Sequence, residues 1–158
     1  MSKNALLRSG KGLETPGTTR KNDASFGAAA RDLHEDHFVM RNGVACAGAH
    51  LIVDLYHASR LDDMEHIEET LRRCVDAAGA TLLHIHLHHF EPNGGISGVA
   101  VLAESHISIH SWPERRYAAL DIFMCGDANP DACVPVLRRA FNPEKIAVSE
   151  HLRGRGAV

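Results

Sequence analysis

Residues 103–114, AESHISIHSWPE, concentrate side chains that can transfer protons in a stretch patterned like a β-strand. After Ser105, imidazole and hydroxyl side chains occupy positions 106, 108 and 110 and alternate with Ile107 and Ile109. A period of two is typical of a strand with one apolar face. The opposite face would carry His106, a serine and His110, a set that suits proton transfer better than solubility.

The residues themselves leave several roles open for this stretch. Ser105 could satisfy a backbone group at a strand end, or it could be a hydrolase nucleophile. The nucleophile elbow Gly-x-Ser-x-Gly is absent, because Ala103 and Ile107 stand where the glycines should be. The two histidines could equally form a structural pair. Cys125, which follows an apolar run, could be a buried thiol.

A second histidine cluster lies in residues 81–90, TLLHIHLHHF, where His84, His86 and His88 alternate along a predicted strand. Imidazoles spaced by two can share a transition metal. A metal site also needs a further ligand and supporting carboxylates, and Glu91 is the only carboxylate close in sequence. We therefore favour structural or interfacial histidines and expect no metal, and we keep a metal-dependent enzyme as an alternative hypothesis.

Hydrophobic periodicity predicts the elements that must position these side chains. Apolar residues spaced by three and four predict a helix over residues 60–78, with Gly79 at its C-cap, and a second helix over 130–141. Short apolar runs bounded by turns predict strands at residues 50–57, 81–90, 97–103, 106–111, 117–124 and 145–150. Tight turns favour antiparallel pairing. The predicted fold is α+β, a two-layer sandwich of an antiparallel sheet with two helices on one face.

Length and composition limit the organisation of the chain. Its 158 residues suit one compact domain, which we expect to span residues 43–158. Residues 1–42 are polar with weak apolar periodicity, so we expect a flexible N-terminal extension there. The formal net charge of −3 carries no long charge runs, which argues against a nucleic-acid partner. No apolar run is long enough to cross a bilayer, so we expect no membrane association.

The cysteines indicate a reducing compartment. None of the four forms a Cys-x-x-Cys pair, and the N-terminus lacks the apolar stretch of a secretory signal. We therefore expect reduced thiols in the cytoplasm. Three of them, Cys46, Cys74 and Cys133, are interpreted as small buried apolar residues.

The longest motif supplies a resemblance that covers about residues 48–156. Residues 97–127, SGVAVLAESHISIHSWPERRYAALDIFMCGD, resemble the core of the bacterial S-adenosylmethionine decarboxylases, small pyruvoyl-dependent enzymes of polyamine synthesis. The shared pattern is a Ser-Gly strand, Glu-Ser-His, a second histidine, Trp-Pro-Glu, an apolar strand and Cys-Gly. The stretches HHFEPNGG and EHLRGRG resemble further segments of that family.

The resemblance implies a self-processing enzyme. Decarboxylation of an α-amino acid leaves a carbanion that needs an electron sink. In this family the sink is a covalent pyruvoyl group, here made from Ser105 by cleavage of the Glu104–Ser105 bond. The products would be a β chain, residues 1–104, and an α chain, residues 105–158. The pyruvoyl group would then hold the substrate amine as a Schiff base.

The resemblance also implies the roles of five further residues. His110 would be the proton acceptor in processing, and Ser97 would take part in the same step. Cys125 would donate the proton in catalysis, which suits a thiol whose ordinary pKa lies near neutrality. Glu114 would bind the ribose hydroxyls of the substrate, and Phe90 would stack on its adenine.

The family pattern further implies a homodimer with residues from both protomers in each site, and S-adenosylmethionine as the substrate for spermidine synthesis. The sequence departs from the pattern at Arg115 and Arg116, where the usual members carry an aromatic residue and a glycine. A pyruvoyl-dependent arginine or ornithine decarboxylase is therefore the alternative substrate assignment. A non-catalytic relative that acts as a binding partner is a further hypothesis.

Overall fold

The computed structural model describes residues 38–157. Within this range the chain forms an α+β fold, and the predicted antiparallel sheet with two helices is confirmed. The strands are β1 (Val39–Arg41), β2 (Val44–Cys46), β3 (Gly48–Tyr56), β4 (Leu82–His89), β5 (Ile96–Leu102), β6 (Ser105–Trp112), β7 (Tyr117–Met124) and β8 (Lys145–Arg153). The α-helices are α1 (Met64–Ala78) and α2 (Cys133–Phe141), and short 3-10 turns cover Pro113–Arg115 and Pro130–Ala132.

Six of these strands form one antiparallel sheet in the order β4-β5-β6-β7-β3-β8. Helices α1 and α2 pack on one face of this sheet and share its core of buried side chains. The core side chains of the central strands include Leu51, Ile107, Ile109, Leu120 and Ile122. Burial of each such side chain contributes about 1.5–3 kcal/mol, so this face fixes the register of every central strand.

The opposite face of the sheet carries neither helix, and we call it the open face. The register places Ser97, His110, Ala119 and Asp54 in one row across β5, β6, β7 and β3. A neighbouring row joins residues of β6, β7, β3 and β8, namely Trp112, Tyr117, Tyr56 and Lys145. The polar half of the alternation in β6 therefore lies on the open face, as the period of two predicts.

Capping residues set the helix boundaries more narrowly than periodicity does. Helix α1 begins at Met64 instead of residue 60, because the Asp63 side chain accepts a hydrogen bond from the His66 N–H (3.0 Å). It ends at Ala78, and Gly79 is its C-cap as predicted, with a left-handed φ of 71°. The predicted second helix is corrected at its start, because Pro130–Ala132 form a 3-10 turn and α2 begins at Cys133.

The hairpin of β1 and β2 was not predicted. Strand β1 lies within the segment interpreted as an extension, so the ordered fold starts before residue 43. Its turn is Asn42-Gly43, with φ values of 52° and 77°, and Asn-Gly is a strong hairpin signal. Arg41 anchors the hairpin through Asp131 and through Glu150 (2.5 Å).

Residues 1–37, the rest of the predicted extension, lie outside the described residues. Neither α-helix between residues 38 and 157 has the length and apolarity to cross a membrane.

Candidate active site

The predicted site residues fall into two groups, and we call the first the serine half-site: Glu104, Ser105 and Cys125. Strands β5 and β6 are joined by a two-residue turn, Ala103-Glu104, since Leu102 pairs directly with Ser105. Ser105 is the first residue of β6 and is only 8% exposed. Its hydroxyl oxygen accepts a hydrogen bond from the Cys125 backbone N–H (3.1 Å).

Cys125 follows the end of β7, where its thiol is partly exposed. Burial raises the pKa of this thiol, and the charges of Glu104 and of Cys46 raise it further. The thiol is therefore protonated at neutral pH, which is the state that a proton donor needs. The other three thiols, of Cys46, Cys74 and Cys133, are buried, in agreement with their interpretation as apolar residues.

The second group contains four predicted residues, Ser97, His110, Phe90 and Glu114. We call these residues together with Trp112 the histidine half-site. Ser97 and His110 are direct partners in the β5–β6 ladder, and the Ser97 Oγ lies 2.8 Å from the His110 Nδ1. Either atom can be the donor, depending on the tautomer of the imidazole. The His110 ring stacks on Trp112 with 6.2 Å between ring centroids and an interplanar angle of 27°.

A cavity of about 330 Å³ lies beside this second group. Its walls include Phe90, Ser97 and Glu114, so both predicted substrate-binding residues and the predicted processing serine line one space. The lining also includes Trp112 and Glu91, which the sequence analysis did not assign to a site. Trp112 could have been found, because it continues the polar face of β6 that starts at position 106.

The pair of Asp54 and Tyr117 supports the cavity wall from the open face. The Tyr117 hydroxyl donates a hydrogen bond of 2.5 Å to the Asp54 Oδ1, which raises the pKa of Tyr117 to about 12. The Tyr117 ring lies 5.4 Å from Trp112 and 5.5 Å from Tyr56. Because it contacts aromatic rings on both sides, Tyr117 limits how far Trp112 can move toward the centre of the sheet. Neither member of this pair was singled out from the sequence.

The two half-sites lie at opposite ends of β6. His110 is five residues after Ser105, which corresponds to about 16 Å along a strand. An odd spacing also sends the two side chains to opposite faces, and Ser105 is buried whereas His110 is exposed on the open face. A general base must lie within hydrogen-bond reach of its proton. Within one chain, therefore, the structure does not bring His110 to Ser105.

His106 of the proton-transfer stretch lies outside both half-sites. It contacts the rings of His50 and Phe123 at centroid distances of 6.2 and 5.8 Å. Burial lowers the pKa of His106, and the neighbouring His50 lowers it further, so His106 is neutral at pH 7. Ser108 of the same strand donates a hydrogen bond to the Asp121 Oδ2 (3.1 Å). These two residues therefore belong to a polar group at the centre of the open face.

His84, His86 and His88 lie on β4 at one edge of the sheet, where they face the open side. In the part of the chain from 38 to 157, no three or more His, Cys, Asp or Glu side chains are arranged to hold a metal ion. The alternative of a metal-dependent enzyme built on these histidines therefore has no supporting geometry in that range. His88 instead contacts Phe90 edge to face, with 4.5 Å between ring centroids.

The comparisons with known proteins show which family and which fold this chain is similar to. The family model described as S-adenosylmethionine decarboxylase matches residues 49–154. A protein of Thermomicrobium roseum named S-adenosylmethionine decarboxylase proenzyme is 45% identical over 108 residues, which are 68% of this chain and 93% of that protein. A protein of the same name from Methanococcus maripaludis is 47% identical over 110 residues, covering 68% of this chain and 89% of the relative.

A solved structure agrees as well. The crystal structure of the adenosylmethionine decarboxylase from Aquifex aeolicus superposes with a TM-score of 0.62 at 35% identity, and the match covers 69% of this chain and 92% of that one. The fold and the order of the motif residues define a small two-layer decarboxylase-like domain. The chain belongs to the S-adenosylmethionine decarboxylase family.

The pKa of Cys125 can be tested in the uncut Ser105→Ala chain. The rate of iodoacetamide alkylation of Cys125, followed against pH by peptide mass spectrometry, should rise with a midpoint above the value of about 8.5 for a free cysteine. A further Glu104→Gln substitution should lower that midpoint, because it removes a negative charge near the thiol. A midpoint at or below 8.5 in the parent chain would contradict the environment described for Cys125.

Proposed function

We propose that this chain is a self-processing, pyruvoyl-dependent decarboxylase of S-adenosylmethionine. It releases carbon dioxide and yields decarboxylated S-adenosylmethionine, the aminopropyl donor for spermidine synthesis. The observation that carries the proposal is membership of the family together with a hydrogen bond from the Cys125 backbone N–H to the Ser105 hydroxyl at the β5–β6 hairpin. Curated relatives that this chain matches at 40–47% identity are named as proenzymes of this activity.

Self-processing begins at the Glu104–Ser105 peptide bond. The Ser105 Oγ attacks the carbonyl carbon of Glu104, the C–N bond breaks, and the hydroxyl proton ends on the Ser105 nitrogen, which leaves an ester. A base then removes the Ser105 Cα proton, and the Cβ–Oγ bond breaks with release of the Glu104 carboxylate. The dehydroalanine that remains tautomerises to an imine, and water hydrolyses it to a keto group with loss of ammonia.

The surroundings of residue 105 fit a pyruvoyl group. The position is nearly excluded from water, and the Cys125 N–H donates to the Ser105 Oγ, the atom that attacks the Glu104 carbonyl carbon when the group is formed. When formed, the group supplies the electron sink for decarboxylation. Cys125 would then return a proton to the substrate Cα, a role that its raised pKa favours. Glu104 becomes the C-terminus of the β chain.

The cavity of the histidine half-site suits a cationic nucleoside. Its aromatic walls, Phe90 and Trp112, can contact a sulfonium cation and an adenine, and Glu114 can accept hydrogen bonds from ribose hydroxyls. Arg116, one of the two arginines that raised the question of a different substrate, is directed elsewhere. Its guanidinium donates to the His57 carbonyl oxygen (2.8 Å) and lies 4.0 Å from Glu144. The contacts of Arg116 therefore give no support to arginine or ornithine, the alternative substrates.

The separation of the two half-sites supports a homodimer with shared sites. His110 can act on Ser105 only if the two residues come from different protomers. The open face suits such an interface, because it carries neither helix and exposes apolar side chains such as Ile52, Val101 and Trp112. We therefore propose that the open faces of two protomers pack together, and that each active site combines the serine half-site of one with the histidine half-site of the other.

We further propose a cytoplasmic location, where the four thiols stay reduced.

Substrate choice is tested by carbon dioxide release from carboxyl-labelled S-adenosylmethionine, arginine and ornithine. The purified protein should act on S-adenosylmethionine, and Ser105→Ala should abolish release with every substrate because no electron sink can form. Cys125→Ala should leave the chain cut but slow turnover by about 100-fold or more, since it removes the proton donor. Preferential release from arginine or ornithine would overturn the substrate assignment and leave the self-processing proposal standing.

Site sharing is tested by mixing two uncut variants. Ser105→Ala and His110→Ala should each stay intact when expressed alone. Coexpression should allow heterodimers in which His110 of the Ser105→Ala chain acts on Ser105 of the His110→Ala chain. Cleavage should then appear only in the His110→Ala chain, which an affinity tag on one variant identifies by mass. Coexpression of two differently tagged Ser105→Ala chains is the control and should give no fragments. Absence of cleavage in verified heterodimers would contradict shared sites.

A further inference from the structure

The residue before the proposed cleavage point has an unusual backbone conformation. Glu104 has a φ of 61°, in the left-handed region where the Cβ of an L-residue crowds the following carbonyl oxygen. It is the second residue of the two-residue turn, and Ala103 is not among the positive-φ residues of the described chain. This combination of signs is that of a type II turn, whose second residue is usually glycine or asparagine.

The flanking structure holds this conformation in place. On one side Leu102 pairs with Ser105, and on the other the Ala103 N–H donates to the Thr81 carbonyl oxygen (2.9 Å). Beyond the turn, the Ser105 hydroxyl is held by the Cys125 N–H. The turn cannot relax without breaking ladder contacts, so the unfavourable φ persists in the uncut chain.

We propose that Glu104 positions and activates the peptide bond for self-processing by storing backbone strain that the acyl shift releases. The inference rests on the proposed function. In the amide, the connection from the Glu104 carbonyl carbon to the Ser105 Cα passes through one atom, the nitrogen. In the ester it passes through two, Oγ and Cβ, and elimination then severs it. The acyl shift therefore loosens the covalent constraint on the turn, and the elimination removes it. Glycine at position 104 would remove the stored strain, because it adopts a positive φ without penalty.

The test compares Glu104→Gly, Glu104→Asn and Glu104→Ala, all of which lack the carboxylate, so that effects of charge cancel. Self-cleavage of freshly purified precursor, followed by intact mass against time, should be fastest in the alanine variant and slowest in the glycine variant. The expected difference between these two is roughly five- to thirtyfold, with asparagine between them. An equal or faster rate in Glu104→Gly would overturn the inference.

A second measurement separates strain from a general structural role. The same substitutions in the uncut Ser105→Ala chain should give the opposite order of thermal stability, with the glycine variant melting about 2–4 °C above the alanine variant. A structural role would make stability and cleavage fall together, and that outcome would contradict the proposal. If the unaltered chain does not cleave at all, the proposed function fails, whereas the melting order still tests the strain at Glu104.

Discussion

The pleat of strand β6 constrains everything that this fold can do chemically. A strand sends residues an odd number of positions apart to opposite faces, and the buried side chains Ile107 and Ile109 lock β6 in its register. Ser105 is consequently tied to the hairpin end beside Cys125, and His110 is tied to the open face beside Ser97. No rotamer change can close a gap of about 16 Å. If His110 is the base that acts on Ser105, as proposed, the geometry of this one strand requires two chains for each site.

The fixed register of the strands also determines which side chains lie on the open face. Helices α1 and α2 bury one side of the sheet, and the other side carries histidines, carboxylates and exposed apolar side chains in paired rows. A solvated sheet face would not need the contact between Asp54 and Tyr117, or the aromatic series from Trp112 through Tyr117 to Tyr56. Such an ordered surface is what a partner sheet requires, because packing against fixed side chains costs little entropy on association. Positioning of the cavity wall and formation of the dimer would therefore depend on the same residues.

Much of this could be predicted from the sequence, because it depends on local patterns. The alternation after Ser105 and the apolar spacing that ends at Gly79 are each set by neighbouring residues, and the strands and helices followed from such patterns. The family and its motif residues could also be identified, because the motif is long and ordered.

The β1–β2 hairpin was missed although Asn42-Gly43 is a clear turn signal, since the surrounding polar composition outweighed it. The separation of Ser105 from His110 was implicit in their odd spacing, yet spacing does not reveal which strand ends meet. The contact of Tyr117 with Asp54 depends on pairing between strands distant in sequence, so no local pattern encodes it. The left-handed φ of Glu104 was missed because glycine or asparagine, the usual signal for such a turn position, is absent there.

The central claim is that the chain cuts itself before residue 105 and converts the new end into a keto group. Intact mass spectrometry of freshly purified protein, treated with S-adenosylmethionine and cyanoborohydride, tests it most directly. The account predicts two fragments, residues 1–104 and residues 105–158, with the second carrying a terminal keto group and gaining the mass of a reductively trapped substrate amine. A folded protein that stays in one piece, or a 105–158 fragment that keeps an ordinary serine amine and gains no adduct, would contradict it.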